Sequence, residues 1–492
     1  MSLKQKTIAG AKWAGVTQVT NQLLQFVVGL LLARMLTPSD FGLVGMIYIF
    51  VSFASIFSEL GIGAAIVQKD EVSEQELSSG FWINVAIGTF FMLLIVFAAP
   101  AIAYFFSEPK LTLLARVIGL TFLISALKIV HIAILTRNFN FRSIAIMETC
   151  SFLLSGTLAI LAALLGLGVW SLVIQSLVAS TTTAVLAFIF SSWRPSLIFD
   201  WQAAKGLFPF SLNLTGAKTI NYCIRNADNL LIGKFYGPVQ LGLYTRAYSL
   251  MLLPIKQVSQ VAIKVMYPAF CAIKDDKPKA RAIYLRLLRL IAILTFPLSI
   301  GLCSVSDYFV LGLLGEQWSE AIPILRVLSC LGITQSLNAT SSIIFQSSGR
   351  TDIQLKWTLY SGFVYLTAFS IGLNWAALGI AIAYTTASTI FAAGPCAYLT
   401  GRLIDLTLRD YVNNVAGIFL CAVSMGVSVF IAGLIIRPYV SNFYGLLILV
   451  GFGGLIYFSL ISFFKIQAVG ELKELFGDRF KKPLTKPMQT SP

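Results

Sequence analysis

Charge is scarce in this sequence, and negative charge is scarcest. Only 12% of the 492 residues are Asp, Glu, Lys or Arg, with 21 acidic against 36 basic; histidine occurs once. The seven cysteines (Cys150, Cys223, Cys271, Cys303, Cys330, Cys396 and Cys421) show no CxxC spacing. So few charges, with 57% hydrophobic residues, exclude an ordinary soluble globular protein. The lone histidine and the cysteine spacing argue against structural zinc and against a disulfide framework. No P-loop, HExxH, GxSxG or metal-ligand cluster is present, so no cofactor is expected and an enzyme is not expected. The net charge of +15 raises nucleic acid as a partner, but no recognition motif accompanies it and none is expected.

What the chain does have is long apolar runs. About 20 apolar residues cross the hydrocarbon of a bilayer, and fourteen stretches qualify: 13–35, 41–67, 79–103, 111–135, 144–166, 169–192, 206–233, 239–268, 284–314, 320–347, 354–374, 375–402, 412–435 and 441–464. The expected fold is an all-α integral membrane protein of 14 transmembrane helices. With both termini placed inside, Lys and Arg fall mostly on cytoplasmic segments, as the positive-inside rule requires. The clusters KDDKPKARAIYLRLLR (Lys274–Arg289) and FGDRFKKPLTKP in the tail then face anionic lipid headgroups. The opening MSLKQKTIAGAKW reads as a basic amphipathic lead-in rather than a cleaved signal.

The chain also repeats itself. RMLTPSDFGL (Arg34–Leu43) and KFYGPVQLGL (Lys234–Leu243) align at a shift of 200, with Asn21 over Asn221; LLARVIGL (Leu113–Leu120) aligns with ILRVLSCL (Ile324–Leu331), Arg116 over Arg326. LGLGVWSLVIQS (Leu165–Ser176) likewise matches NWAALGIAIAYT (Asn374–Thr385). Two parallel six-helix lobes follow, related by an axis along the membrane normal: 1–192 and 206–402, joined by a cytoplasmic linker 193–205. Two added transmembrane helices (403–464) and a basic cytoplasmic tail (465–492) complete the expected organisation. Parallel repeats of this kind are an architecture of secondary transporters, with the substrate path near mid-membrane between the halves. In both turns the proline and the Gly-Leu pair read as turn chemistry.

Polar residues gather where such a path would run. The seventh stretch, NLTGAKTINYCIRNADNLLIGKF, carries Lys218, Asn221, Arg225, Asp228 and Asn229. Lys218 and Arg225 are two turns apart, on one helix face and separated by about 10 Å. Tyr222, Asp228 and Asn229 extend the stripe, and the eighth stretch adds Arg246, Lys256, Gln260 and Lys264 around Pro254. Leaving Lys218, Arg225, Arg246 and Lys256 in lipid would cost about 10–14 kcal/mol, so they are expected to face a wet cavity. A surplus of Lys and Arg there suits phosphate, Arg as a fork and Lys as a point charge. The first lobe instead offers Gln18, Asn21, Gln22 and Gln25, amides suited to sugar hydroxyls. Glu59 and Asp228 are the leading candidates for ion coupling, with Glu148, Asp307 and His131 behind them; for each, capping or ion pairing is the plainer role.

FSELGIGAAIVQKD (Phe57–Asp70), LGLYTRAYSLMLLP (Leu241–Pro254), MYPAFCAIKDD (Met266–Asp276) and LLGEQWSEAIPILRVLSCLG (Leu313–Gly332) resemble the Wzx-type polysaccharide flippases, especially the colanic acid exporter subgroup. These belong to the multidrug/oligosaccharidyl-lipid/polysaccharide transporter superfamily. The resemblance implies an inner-membrane flippase that moves an undecaprenyl-diphosphate-linked oligosaccharide from the cytoplasmic to the periplasmic face by alternating access around a cationic cavity. It implies membrane lipids and a polysaccharide polymerase or export complex as partners, and by analogy the two terminal helices form a groove for the lipid tail. Peptidoglycan-precursor flippases, similar in plan, carry cations in the first span where this chain has Gln18 and Gln25, which favours a neutral or mildly acidic glycan. The competing readings are a cation-coupled drug exporter of the same superfamily, a membrane glycosyltransferase or polymerase, and a non-transporting scaffold of a polysaccharide assembly complex.

Overall fold

The computed structural model of the chain describes residues 20–58, 61–69, 71–200, 212–464, 466 and 470–471. Among them there is no strand, and each of the fourteen apolar stretches centres on helix. The helices are α1 (20–35), α2 (Pro38–Ser58), α3 (Ile62–Gln68), α4 (Glu74–Phe106), α5 (Leu111–Arg137), α6 (Phe141–Leu164), α7 (Trp170–Phe190) and α8 (Leu212–Ala272). They continue as α9 (Lys277–Ser304), α10 (Ser306–Phe309), α11 (Ala321–Ser347), α12 (Thr351–Gly372), α13 (Ala376–Thr386), α14 (Ala393–Ile404), α15 (Leu408–Ile436) and α16 (Asn442–Phe463). Nine spans among the described residues are long and apolar enough to cross a membrane. The protein is therefore an all-α, multi-pass membrane protein.

Short polar residues set the helix starts. Ser73 accepts from the Glu76 amide while Glu76 accepts from the Ser73 amide, a reciprocal box that fixes the first turn of α4. Asn140, Asp276 and Thr407 accept from backbone amides at the starts of α6, α9 and α15. In α8 the helix breaks at Gly237, whose φ of 76° and ψ of −172° only glycine adopts without strain, and Pro238 starts the second half.

Two compact units divide the chain. The first runs through Arg246 and takes in Leu314–Trp318 and Trp375–Ala377. Leu32, Leu36, Val44, Ala159 and Leu172 pack into one of its buried clusters, and Ile62, Ile66, Phe81, Ile83, Val130 and Ala133 into another. The second unit holds the remainder, with a core built on α9, α15 and α16: Leu288, Ile291 and Ala292 meet Ile418, Met425, Leu449 and Ile461. Lipid tails are as apolar as leucine, so helices in a bilayer gain from close packing and interhelical hydrogen bonds rather than from the hydrophobic effect. Accordingly Tyr457 donates to the Ile293 carbonyl at 3.0 Å and Tyr308 to the Gly433 carbonyl at 2.6 Å.

The two repeated turns meet inside the first unit. A Cβ placed on Gly42 would lie 1.7 Å from the Pro238 carbonyl oxygen, and one on Gly242 would lie 1.9 Å from the Pro38 oxygen. The contact is reciprocal, so the shared Pro-x-x-x-Gly pattern is more than turn chemistry: each glycine makes room for the other turn's backbone. Beside this crossing, Gln317 donates to the carbonyls of Ala33 (2.8 Å) and Leu36 (2.9 Å), and the Trp318 indole donates to Ala33 (2.7 Å). These side chains take up carbonyls that the end of α1 leaves without helical partners.

Candidate functional site

Asn21, Gln22 and Gln25 recur on one side of α1 at helical spacing, and the structure brings all three to a cavity of about 470 Å³ in the first unit. The wall opposite comes from α5 (Lys128), α6 (Glu148, Ser151) and α7 (Ser180, Thr183). On those three helices the polar residues sit seven to ten positions from the ends at Arg137, Phe141 and Phe190, some 10–15 Å along each axis. The polar groups thus share one level along the helices.

Hydrogen bonds order this wall. Thr149 donates to the Asn21 Oδ1 at 2.9 Å, and the Asn21 Nδ2 donates to Glu148 Oε2 at 3.3 Å. Thr183 donates to Ser151 Oγ and to the Ala179 carbonyl, tying α7 to α6. Lys128 stands within electrostatic reach of Glu148, so among the described residues the cavity is lined by one cation and one anion. Gln25 also borders a second cavity of about 260 Å³, lined further by Tyr48, Ser155, Gln175 and Ser176. There Tyr48 donates to Ser176 at 2.8 Å. Amides and hydroxyls with one opposed charge pair can bind a polyhydroxylated ligand; among the described residues no group of three His, Cys, Asp or Glu is placed to hold a metal.

The other expected site residues go elsewhere. Asn221 and Arg225, one turn apart on the first half of α8, are both exposed. Asp228 borders that face but is buried, accepting from the Tyr244 hydroxyl at 2.8 Å and from the Asn229 amide at 2.7 Å. Tyr222 donates to the Ile49 carbonyl at 2.8 Å, which joins α8 to α2. Arg246 is enclosed rather than facing open water: it donates to the Gly29 carbonyl and lies over the Phe41 ring, 5.3 Å from its centroid. Gln18 and Glu59 lie outside the described residues, as do the side chains of Lys218 and Lys256. Among the secondary candidates, Asp307 pairs with Arg326 at 3.0 Å, and His131 is buried among Phe81, Phe188 and Trp193.

Lys128, Ser151, Ser180 and Thr183 are not singled out by the sequence. A lone lysine in the apolar run Val117–Leu135 is the one signal for Lys128, and it does not say which way the residue faces. The hydroxyls are legible only in retrospect, as Ser176, Ser180 and Thr183 at helical spacing on α7.

A family model described as polysaccharide biosynthesis protein matches residues 31–323. The chain is 30% identical to the teichuronic acid biosynthesis protein TuaB of Bacillus subtilis (strain 168) over 434 residues, 87% of this chain and 89% of that one. It is 27% identical to the lipopolysaccharide biosynthesis protein WzxC of Escherichia coli (strain K12), covering 84% of each. Its fold is similar to a solved structure of the lipid II flippase MurJ in an inward closed conformation. The TM-score is 0.72, with 16% identity over 92% of this chain and 99% of that one.

Proposed function

The chain belongs to the polysaccharide biosynthesis protein family, as its Wzx-type motifs led us to expect, and we propose that it is a flippase for lipid-linked oligosaccharides. It takes an undecaprenyl-diphosphate-linked repeat unit at the cytoplasmic face and delivers it by alternating access to the periplasmic face for exopolysaccharide, capsule or O-antigen assembly. The observation that carries the reading is the cavity of about 470 Å³ in which Asn21, Gln22 and Gln25 converge, within the range of ligand sites and lined by groups suited to sugar hydroxyls. Relatives named for teichuronic acid and lipopolysaccharide biosynthesis support a glycan as cargo.

In this mechanism the chain makes and breaks no covalent bond of its cargo. Asn21 is held by Thr149 and in turn holds Glu148, so its amide meets the glycan in a fixed orientation. Gln22 and Gln25 carry hydroxyl recognition along α1 toward the second cavity. Arg225, exposed on α8, takes the diphosphate together with Lys218, two turns before it. Asp228 and Arg246 act as braces, Asp228 through Tyr244 and Arg246 through Gly29. The protein works in the bacterial inner membrane with both termini cytoplasmic, the orientation that places its basic loops inside, and it hands its product to a polymerase or export complex.

The test is complementation of a strain whose surface polysaccharide depends on this chain. Asn21→Ala and Arg225→Ala are each expected to lower surface polysaccharide at least tenfold while the protein stays at its normal level in the membrane. Normal polysaccharide in both variants would overturn the site assignment.

A further inference from the structure

A third cavity in the first unit, of about 550 Å³, lies between the last turn of α4, the turn into α5 and Lys234, three residues before the break in α8. Tyr104, Ser107 and Thr112 bring hydroxyls to it and Lys234 an ammonium, with no carboxylate among its described lining residues. A lysine near a helix end can simply extend into water. Here the ammonium donates to the Phe105 carbonyl and lies over the Phe105 ring, 4.9 Å from its centroid, so α4 holds the charge at the cavity wall. An ammonium has three donors, and one carbonyl does not exhaust them.

This end of α4 is also where acyl chains should give way to headgroups. Its 33 residues rise about 50 Å, against about 30 Å of hydrocarbon, and its apolar stretch stops at Ala103. Phe90, Phe97 and Tyr104 recur every seven residues, hence on one face, and are 60%, 77% and 87% exposed; Leu113 and Leu120 repeat the pattern on α5. An exposed apolar stripe on spanning helices faces lipid, and Tyr104 ends it at the cavity, as aromatic residues do at headgroup level. A lipid whose chain follows the stripe therefore brings its phosphate to Lys234.

We propose that this cavity binds one anionic glycerophospholipid with a polyol headgroup, of the phosphatidylglycerol type. The phosphate meets the Lys234 ammonium, the headgroup hydroxyls meet Ser107 and Thr112, and a chain runs along Phe97 and Phe90. The lining selects this headgroup: one cation balances one phosphodiester, the ammonium of a zwitterionic headgroup finds no carboxylate, and a diphosphate brings charge that one lysine leaves uncompensated. A charge-assisted hydrogen bond of this kind is worth about tenfold in affinity. Once bound, the lipid bridges α4 and α5 to the first half of α8. The site is independent of the flippase reading; the orientation proposed above only places its lipid in the periplasmic leaflet.

The full chain, purified in detergent, is titrated with dioleoyl phosphatidylglycerol and with dioleoyl phosphatidylethanolamine, and bound lipid is read by native mass spectrometry. The wild-type chain is expected to take one phosphatidylglycerol about tenfold more tightly than phosphatidylethanolamine. Lys234→Gln removes that preference, Lys234→Arg keeps it, and Lys110→Gln, in the same turn but outside the cavity lining, leaves it unchanged. No preference in the wild-type chain overturns the proposal. So does a loss in Lys110→Gln equal to that in Lys234→Gln, since the attraction would then be diffuse. Inorganic phosphate and farnesyl diphosphate, each added at the concentration of the lipid, are expected to leave phosphatidylglycerol in place. Displacement by phosphate would make this a simple anion site, and displacement by farnesyl diphosphate a site for the lipid carrier; either contradicts the proposal. A stable dimer on size-exclusion chromatography that binds no phosphatidylglycerol assigns the face to a second copy and contradicts it too. Should Lys234→Gln fold poorly, Thr112→Val serves in its place and is expected to weaken phosphatidylglycerol about threefold while leaving phosphatidylethanolamine unchanged; unaltered binding of both lipids counts against the site.

Discussion

Gly42→Ala and Gly242→Ala each add one methyl group, and the structure says where it goes. On Gly42 the new carbon would sit 1.7 Å from the Pro238 carbonyl oxygen and 2.5 Å from its carbonyl carbon; on Gly242, 1.9 Å from the Pro38 oxygen. Relief requires one turn to retreat from the other by about 1.5 Å or more, since both obstacles are backbone. Overpacking that flexible side chains absorb costs about 1–3 kcal/mol. Here no side chain can yield, so each substitution should cost about 3 kcal/mol, and the double variant less than twice that, because the turns part only once. The assay is thermal unfolding in detergent followed by size-exclusion chromatography. The control is Gly454→Ala, on α16, where an added Cβ meets nothing within 4 Å. Gly42→Ala and Gly242→Ala as stable as Gly454→Ala would refute the reciprocal crossing and the reasoning built on it.

Tyr244→Phe removes the hydroxyl that donates to buried Asp228, and should destabilise the chain by about 1–3 kcal/mol in the same unfolding assay. Adding Asp228→Asn to that variant should recover part of the loss, because the neutral amide is cheaper to leave unpaired. Gln317→Ala takes the side-chain donor from the Leu36 carbonyl at the end of α1 and should cost about 1 kcal/mol, while Trp318→Ala removes one of the two donors to the Ala33 carbonyl together with a buried indole and should cost more, about 3–5 kcal/mol. Ser73→Ala breaks the box that starts α4 and should cost about 1 kcal/mol.

The sequence is most legible where physics is one-dimensional. Apolar run length is set by bilayer thickness, so the helical stretches could be read off directly, and the turn at Gly237–Pro238 announced itself in two residues. Side-chain direction is less legible. Arg225 and Asp228 lie three residues apart and read as one polar stripe, yet Arg225 is exposed while Asp228 turns inward to Tyr244, sixteen residues on across a break in the helix. Arg246 looked like a cavity cation because an arginine in an apolar stretch must find water or a partner; its partner is a carbonyl of α1, which no spacing rule reveals. Lys128 was illegible for the complementary reason: its meaning depends on Glu148 and Asn21, on two other helices. The amides of α1 could be read because Asn21, Gln22 and Gln25 lie within two turns of a single helix.

Translocation itself tests the central claim most directly. The purified chain is reconstituted into liposomes that carry a fluorescent polyprenyl-diphosphate-linked oligosaccharide, and a membrane-impermeant glycosidase added outside reports which leaflet holds the glycan. Wild-type protein should bring the inner-leaflet half of the substrate within reach of the enzyme, and Asn21→Ala should slow that transfer at least tenfold. If the inner-leaflet substrate stays protected in the presence of well-folded wild-type protein, with or without an ion gradient, the chain is not a flippase for lipid-linked oligosaccharides.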